Sequence, residues 1–231
     1  TPSRATTTLT LAVSLLAATS LLAQQLAGKP SATTGIVRKV CSMVEAQHLL
    51  QQPINDAISS RLLDRYINDR DPQKLYFLQA DIDQFSGLRN QLDDLAKSGN
   101  LEFSTNLWKL FLRRLDERMA VAHKLVDAPH DFAVEEDMGI EPKDLPWCKT
   151  TEELDERWPK RVKYDLLILK LEKTEDAEAR KRLHRRYKTI RESFAQTEPE
   201  EVTEQYLTAL CESFDPHSSY LAPKDKEDFE I

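Results

Sequence analysis

Apolar residues recur every three or four positions along most of this chain, which is the spacing of one face of an α-helix. The longest stripe predicts a helix over 102–126, and its members are Phe103, Leu107, Phe111, Leu115, Met119, Ala122 and Val126. Such a stripe is typical of a buried core face rather than of a ligand site. Shorter stripes predict helices over 36–50 and 54–68.

Start and stop signals predict the next helices. A helix over 81–98 should end at Gly99, since glycine is favoured just after the last helical turn. Thr150 and Glu153 form a capping box for a later helix, and Pro159 should kink or divide that helix.

The segment 162–168 fits either a strand or a helix. Its apolar residues alternate as they would in a strand, and they are Val162, Tyr164, Leu166 and Ile168. No turn residue follows before Lys173, so we predict a helix. The preceding segment, 128–149, has no period and should form a long loop.

The helix expected after Thr174 is strongly basic. Its basic residues are Arg180, Lys181, Arg182, Arg185, Arg186, Lys188 and Arg191. A basic helix could bind an acidic partner or nucleic acid. Acids interleaved along it, such as Glu178 and Glu192, favour a solvated face instead.

The last helix should be capped by Thr197, Pro199 and Glu200. It should end at Asp215, because proline disfavours the α conformation in the residue before it.

The residues beyond this helix are expected to close it. His217, Ser218 and Ser219 could bind its last carbonyl groups, and Tyr220 and Leu221 could pack back onto it. Aspartate, histidine and serine so close together also suggest a catalytic triad. Near-consecutive residues rarely align as a triad requires, so we interpret the segment as a structural turn.

Glycine is scarce, with five residues in the chain and none in 140–231. Tight hairpins and phosphate-binding loops need glycine, whereas helical bundles need it least. We therefore predict an all-α fold, an irregular bundle of about seven to nine helices preceded by a signal segment.

Residues 1–30 differ from the rest, with no acidic residue and an apolar run from Leu9 to Ala23. The run fits the core of a signal peptide better than a full bilayer span, and an uncleaved membrane anchor is the alternative. The helical domain is then expected over 31–222.

The net charge of −7 opposes general nucleic-acid binding. Cys41, Cys148 and Cys211 lie far apart without metal-site spacing, so they fit either buried structural cysteines or one disulfide and a free thiol. His123 with Asp127 one turn later is interpreted as a surface pair. No catalytic, cofactor-binding or metal-binding residue is predicted, because no Ser or Cys lies in a glycine-flanked turn and the histidines are scattered.

Several motifs resemble one protease family, in order along about 160 residues. They are Arg61-Leu62-Leu63-Asp64-Arg65-Tyr66-Ile67, Asp81-Ile82-Asp83-Gln84-Phe85, Pro146-Trp147, Trp158 with Val162-Lys163-Tyr164-Asp165, Arg185-Arg186-Tyr187-Lys188, and the segment FDPHSSYLAP at 214–223. The last is similar to the segment that precedes the PDZ domain in carboxy-terminal processing peptidases. The whole set resembles the amino-terminal helical domain of their tail-specific protease branch.

The resemblance implies a bacterial serine endopeptidase that degrades or trims proteins from their C-termini. It would be periplasmic or secreted, with a membrane-anchored form as the alternative. A Ser–Lys dyad and a PDZ domain would follow this chain, with 223–231 as the start of the connection. The helical domain would restrict substrate access and dock partner proteins.

Two other hypotheses stay open. One is a stand-alone exported helical adaptor that binds other proteins without catalysis, and the other, which export and acidity disfavour, is a nucleic-acid binder. The partners expected are protein substrates with exposed C-termini, bound through the PDZ domain, and an adaptor protein. No nucleic acid and no cofactor are expected. Contact with a membrane is expected only through the N-terminal segment, if that segment is not cleaved.

Overall fold

The computed structural model describes residues 32–139 and 145–222. Within these ranges the chain forms eight helices and no strand, which confirms the all-α prediction. The helices are α1 (Ala32–Gln47), α2 (Asp56–Arg70), α3 (Gln79–Ser86), α4 (Leu92–Ser98), α5 (Glu102–Asp127), α6 (Thr151–Leu171), α7 (Asp176–Ala195) and α8 (Pro199–Glu212). The predicted signal segment, 1–30, and the predicted connection at 223–231 lie outside the described residues.

Helix α5 is the centre of the bundle. It packs against α6, α7 and α8, while α1, α2 and α4 form a second group that α8 joins to it. Every member of the predicted stripe on α5 is buried. The stripe is therefore core, as its spacing predicted.

The single helix predicted over 81–98 is wrong, because α3 and α4 are separate. The backbone N–H of Leu92, at the start of α4, donates to the hydroxyl of Ser59 in α2 at 2.8 Å. The break buries both Phe85 and Leu92. Helix α4 does end before Gly99 as predicted, and Gly99 has a φ of 74°. A Cβ there would lie 2.8 Å from the Thr34 carbonyl oxygen of α1, so glycine also permits this close crossing.

Pro159 was predicted to kink or divide its helix. Helix α6 is continuous through Pro159, so the predicted division does not occur. The helix is held on both sides of the proline, since Trp158 and Val162 are both buried. At its start Thr150 accepts from the N–H of Glu153 at 3.3 Å. The Glu153 carboxylate accepts from Lys149 instead of Thr150, so half of the expected capping box forms.

The ambiguous segment 162–168 is helical, as predicted, and its alternation has a simple origin. Val162 and Leu166 face the core, whereas Tyr164 and Ile168 are 41% and 39% exposed. Helix α6 thus carries two apolar stripes on different faces, and together they imitate the period of a strand.

The ends of α8 differ from the prediction. Pro199 is the first helical residue as expected, but Glu198 occupies the N-cap position and Thr197 does not cap the helix. The helix ends at Glu212 rather than at Asp215. The Ser213 hydroxyl donates to the Ala209 carbonyl at 2.6 Å and so satisfies the last turn before the proline is reached.

A buried crossing segment, residues 71–78, connects α2 to α3 through the interior. The carboxylate of Asp71 is fully buried and accepts three backbone N–H groups at 2.8–2.9 Å, those of Leu75, Tyr76 and Phe77. Across the bundle, the indole Nε1 of Trp158 donates to the Leu75 carbonyl at 2.8 Å. This irregular segment of turns and bends therefore has polar partners for its buried backbone groups, although it belongs to neither a helix nor a sheet.

We expect Asp71→Asn to lower the free energy of unfolding by about 3 kcal/mol, because the amide retains one acceptor oxygen for three buried donors. Urea denaturation followed by circular dichroism measures the change. Asp94→Asn is the control, since Asp94 is exposed and has no hydrogen-bond partner within the described ranges. Equal small changes in the two variants would contradict the anchoring role of Asp71.

Candidate functional site at the exit of the last helix

The carboxylate of Asp215 gathers the segment that follows α8. One oxygen accepts from the backbone N–H of His217 at 2.8 Å. The other is 2.9 Å from Nε2 of His48, in the turn after α1, and also accepts from the hydroxyl of Ser218. The exit of the last helix is thereby fixed to the end of the first.

The position of the proton on the neutral His48 ring follows from a second hydrogen bond of that ring. Its Nδ1 accepts from the backbone N–H of Leu50 at 3.2 Å, so in the neutral ring the proton lies on Nε2 and is donated to Asp215. The ring also packs against Phe214, with centroids 5.1 Å apart. The histidine that binds Asp215 is thus His48, and His217 contributes its backbone.

This Asp–His–Ser group lacks the arrangement of a catalytic triad. In a triad the carboxylate and the serine contact different ring nitrogens, so that one nitrogen can take the serine proton. Here Ser218 Oγ is 3.0 Å from the same Nε2 that faces Asp215, and the serine proton is directed to the carboxylate. The interpretation as a structural turn is confirmed.

The turn differs in detail from the prediction. His217, Ser218 and Ser219 do not bind the last carbonyls of α8. The backbone N–H of His217 and the hydroxyl of Ser218 donate to the Asp215 carboxylate instead. Tyr220 packs against the core, as expected, and its carbonyl accepts from Thr208 at 3.2 Å. Leu221 is 47% exposed and does not pack back.

Three donors favour the charged form of Asp215. The Ser218 hydroxyl, the His217 N–H and the His48 ring together lower its pKa to about 2. The carboxylate of Asp215 is therefore charged at neutral pH.

A second polar group joins α5 to α7. Nδ1 of His123 lies 2.7 Å from Nδ1 of His184, whose Nε2 is 2.9 Å from Asp127. The predicted pair of His123 with Asp127 is therefore wrong in its partner, because His184 lies between them in the chain of hydrogen bonds. Since Asp127 fixes the proton of neutral His184 on Nε2, its Nδ1 accepts and His123 donates.

The remaining candidates are accounted for by packing. Cys41, Cys148 and Cys211 are buried free thiols, and burial raises the pKa of Cys41 to about 12 and that of Cys211 to about 11. The interpretation of buried structural cysteines is confirmed. Within 32–139 and 145–222 no cluster of three metal-binding side chains occurs, and no helix there is long and apolar enough to cross a bilayer.

The fold and the exit site define an all-α domain in which α8 is followed by a turn that the carboxylate of Asp215 holds in place. Residues 40–224 match the family described as "Tail specific protease N-terminal domain". The match covers most of the chain and includes the exit turn, so the chain belongs to this family.

A tail-specific protease of Haemophilus influenzae is 27% identical to this chain over 193 residues. The alignment covers 83% of this chain but 28% of that relative. The chain therefore corresponds to less than a third of the relative's length.

Asp215→Asn should reduce the loss of stability in acid. Because the pKa of Asp215 in the folded state lies below the ordinary 3.8, its contribution is present above about pH 4 and is lost as the pH falls towards 2. The difference in free energy of unfolding between wild type and variant should therefore shrink across this window. Urea titrations at several pH values measure it, with Ser219→Ala as the control, and a pH-independent difference would contradict the assignment.

His123→Gln should reduce the loss of stability that occurs as the pH falls below about 6.5. Burial and then the neighbouring His184 lower the pKa of His123 below 6.5, so the unfolded chain takes up a proton that the folded chain resists. Wild type should lose stability as the pH falls below about 6.5, and the variant should lose less. Thermal midpoints at pH 7.5 and pH 5 test this against the exposed control His217→Gln, and equal slopes would exclude it.

Proposed function

We propose that this chain is the amino-terminal helical domain of a serine-type tail-specific protease, an enzyme that degrades or trims proteins from their C-termini. The observation that carries the proposal is the family match over 40–224, which runs from α1 through the exit turn. The proteolytic relative extends far beyond the matched region, which leaves room for a PDZ domain and a Ser–Lys dyad outside this chain.

In this proposal the domain restricts access to the protease and docks partner proteins, and does not itself cleave. Two features support that division of roles. The only Asp–His–Ser group in the described ranges is arranged as a turn, so it offers no activated nucleophile. The exit turn also connects the end of α1 to the end of α8 through the contact between His48 and Asp215. This connection would give the following domain a fixed point of attachment.

The proposed location is the bacterial periplasm, or the exterior. The relative is bacterial, and residues 1–30 have the composition of an export signal. Protein substrates with exposed C-termini and an adaptor protein are the proposed partners.

The test uses the complete product of the gene that encodes this chain. It should cleave a fluorescent protein that carries an unstructured C-terminal tail and spare the same protein without the tail, whereas this chain alone should spare both. Substituting the catalytic serine by alanine should abolish cleavage. A complete product that binds the reporter without cleaving it would overturn the proposal in favour of the adaptor.

The access role requires a second comparison. In the complete protein, the double variant His48→Ala and Asp215→Ala should release the exit turn and increase cleavage of the reporter without a tail. Ser219→Ala, at an exposed hydroxyl in the same turn, is the matched control. Unchanged selectivity in the double variant would argue against restriction of access through this turn.

A further inference from the structure

Helix α6 presents an apolar ridge to solvent. Tyr164, Ile168 and Leu171 are spaced by four and three residues, so they share one face, and they are 41%, 39% and 71% exposed. The loop over 132–138 borders Tyr164 on one side, and the outer surfaces of the three side chains remain open to solvent. The ridge spans about two helical turns, which is long enough to receive a second helix.

A basic surface lies beside this ridge on α7. Arg182, Arg185, Arg186, Thr189 and Ile190 line a shallow cleft of about 380 Å³. Helix α7 has seven basic and three acidic residues, although the chain as a whole has a net charge of −7. Positive charge is thus concentrated on one helix of an acidic protein.

The two surfaces are adjacent. Arg186 reaches the buried carboxylate of Asp165 in α6 at 3.5 Å. Ile168 lies one turn further along α6 than Asp165, and Arg182 lies one turn back along α7 from Arg186. Because a four-residue connection makes α6 and α7 antiparallel neighbours, these two steps lead in the same direction. The ridge therefore has arginines along one flank.

These arginines are largely available to a ligand. Arg185 is exposed and has no ion-pair partner within the described ranges. Arg182 pairs only with Glu178 on the surface, at 3.1 Å, a contact of little energy. Asp165 is already bound by Arg161 at 3.0 Å and by the hydroxyl of Tyr187 at 2.8 Å, so Arg186 is not needed to neutralise it. The other bases of α7 fit the predicted solvated face, since Arg180, Lys188 and Arg191 have acidic partners.

We propose that the ridge and its arginine flank form a docking site for an amphipathic helix of another protein that carries acidic side chains beside its apolar stripe. The ridge residues would pack against the apolar stripe and the arginines would pair with the acidic residues. The inference rests on the proposed function for the claim that this domain docks a partner protein. The kind of partner is inferred from the residues of this surface.

The surface disfavours three other occupants. A second copy of the chain, packed symmetrically, would bring the same arginines face to face. An anionic membrane requires a broader apolar face, since the ridge has only three apolar residues to insert. Single-stranded nucleic acid stacks on exposed aromatic residues, and α7 has none.

The test uses the full chain and a pair of synthetic helical peptides. Both peptides have leucines at helical spacing over about four turns. One has glutamates and the other lysines at the flanking positions. In fluorescence anisotropy the glutamate peptide should bind roughly tenfold more tightly than the lysine peptide, and added salt should reduce the difference.

Arg185→Glu should weaken binding of the glutamate peptide by roughly tenfold and strengthen binding of the lysine peptide. Ile168→Asp should weaken both. Arg113→Glu is the matched control, because Arg113 is likewise exposed and without an ion pair in the described ranges, but lies on α5. Far-ultraviolet circular dichroism checks that each variant is folded, since all three positions are on the surface.

Four results would overturn the proposal. The peptides could bind equally, or Arg113→Glu could act as Arg185→Glu does. Vesicles containing phosphatidylglycerol could bind with the same dependence on Ile168 and Arg185 while the peptides do not. Sedimentation could reveal a dimer that Ile168→Asp dissociates. Binding is measured on this chain without any proteolysis, so its failure is distinct from a failure of the proposed protease function.

Discussion

The bundle depends on the burial of one carboxylate. Residues 71–78 form an irregular segment of turns and bends that buries Leu75 and Phe77, and such a segment has no regular partners for its backbone groups. Asp71 supplies acceptors for three consecutive N–H groups, while Trp158 and Arg157 donate to the carbonyls of Leu75 and Lys74 at 2.8 Å. Because these donors belong to α6, the crossing segment fixes α2 and α6 relative to each other, and Phe77 and Tyr76 then pack against Phe111 of α5.

Features that depend on neighbouring residues could be predicted from the sequence, and features that depend on distant ones could not. The core stripe of α5 is a periodic pattern within one helix, so its burial was predictable. The break between α3 and α4 depends on Ser59, which lies 33 residues before Leu92 and has no local signal of its role. In the same way, Pro159 suggested a division of α6, but the packing of Trp158 and Val162 on either side of it is a property of the whole bundle.

The exit site shows the same division. The segment at 214–223 was recognisable by its own residues, and the interpretation as a turn rested on the local geometry of neighbouring side chains. Its essential partner, His48, lies 167 residues away and looked like any other scattered histidine. What identifies it is the position of its ring between Leu50 and Asp215, which fixes its tautomer and leaves no nitrogen to activate Ser218. The sequence therefore predicted the place of the site and missed half of its chemistry.

Helix α6 both holds the fold together and carries the proposed docking ridge. Its inner stripe, including Trp158, Val162 and Leu166, is buried, and substitutions there would remove core packing. Its outer ridge contributes less, because Tyr164 and Ile168 remain 41% and 39% exposed in the folded chain. Apolar residues that add little to folding but remain in a solvent-facing row are most simply explained by a surface that is covered on binding. The apparent strand pattern of 162–168 thus comes from a helix with two apolar faces, one buried in the domain and one facing solvent, where we propose that a partner docks.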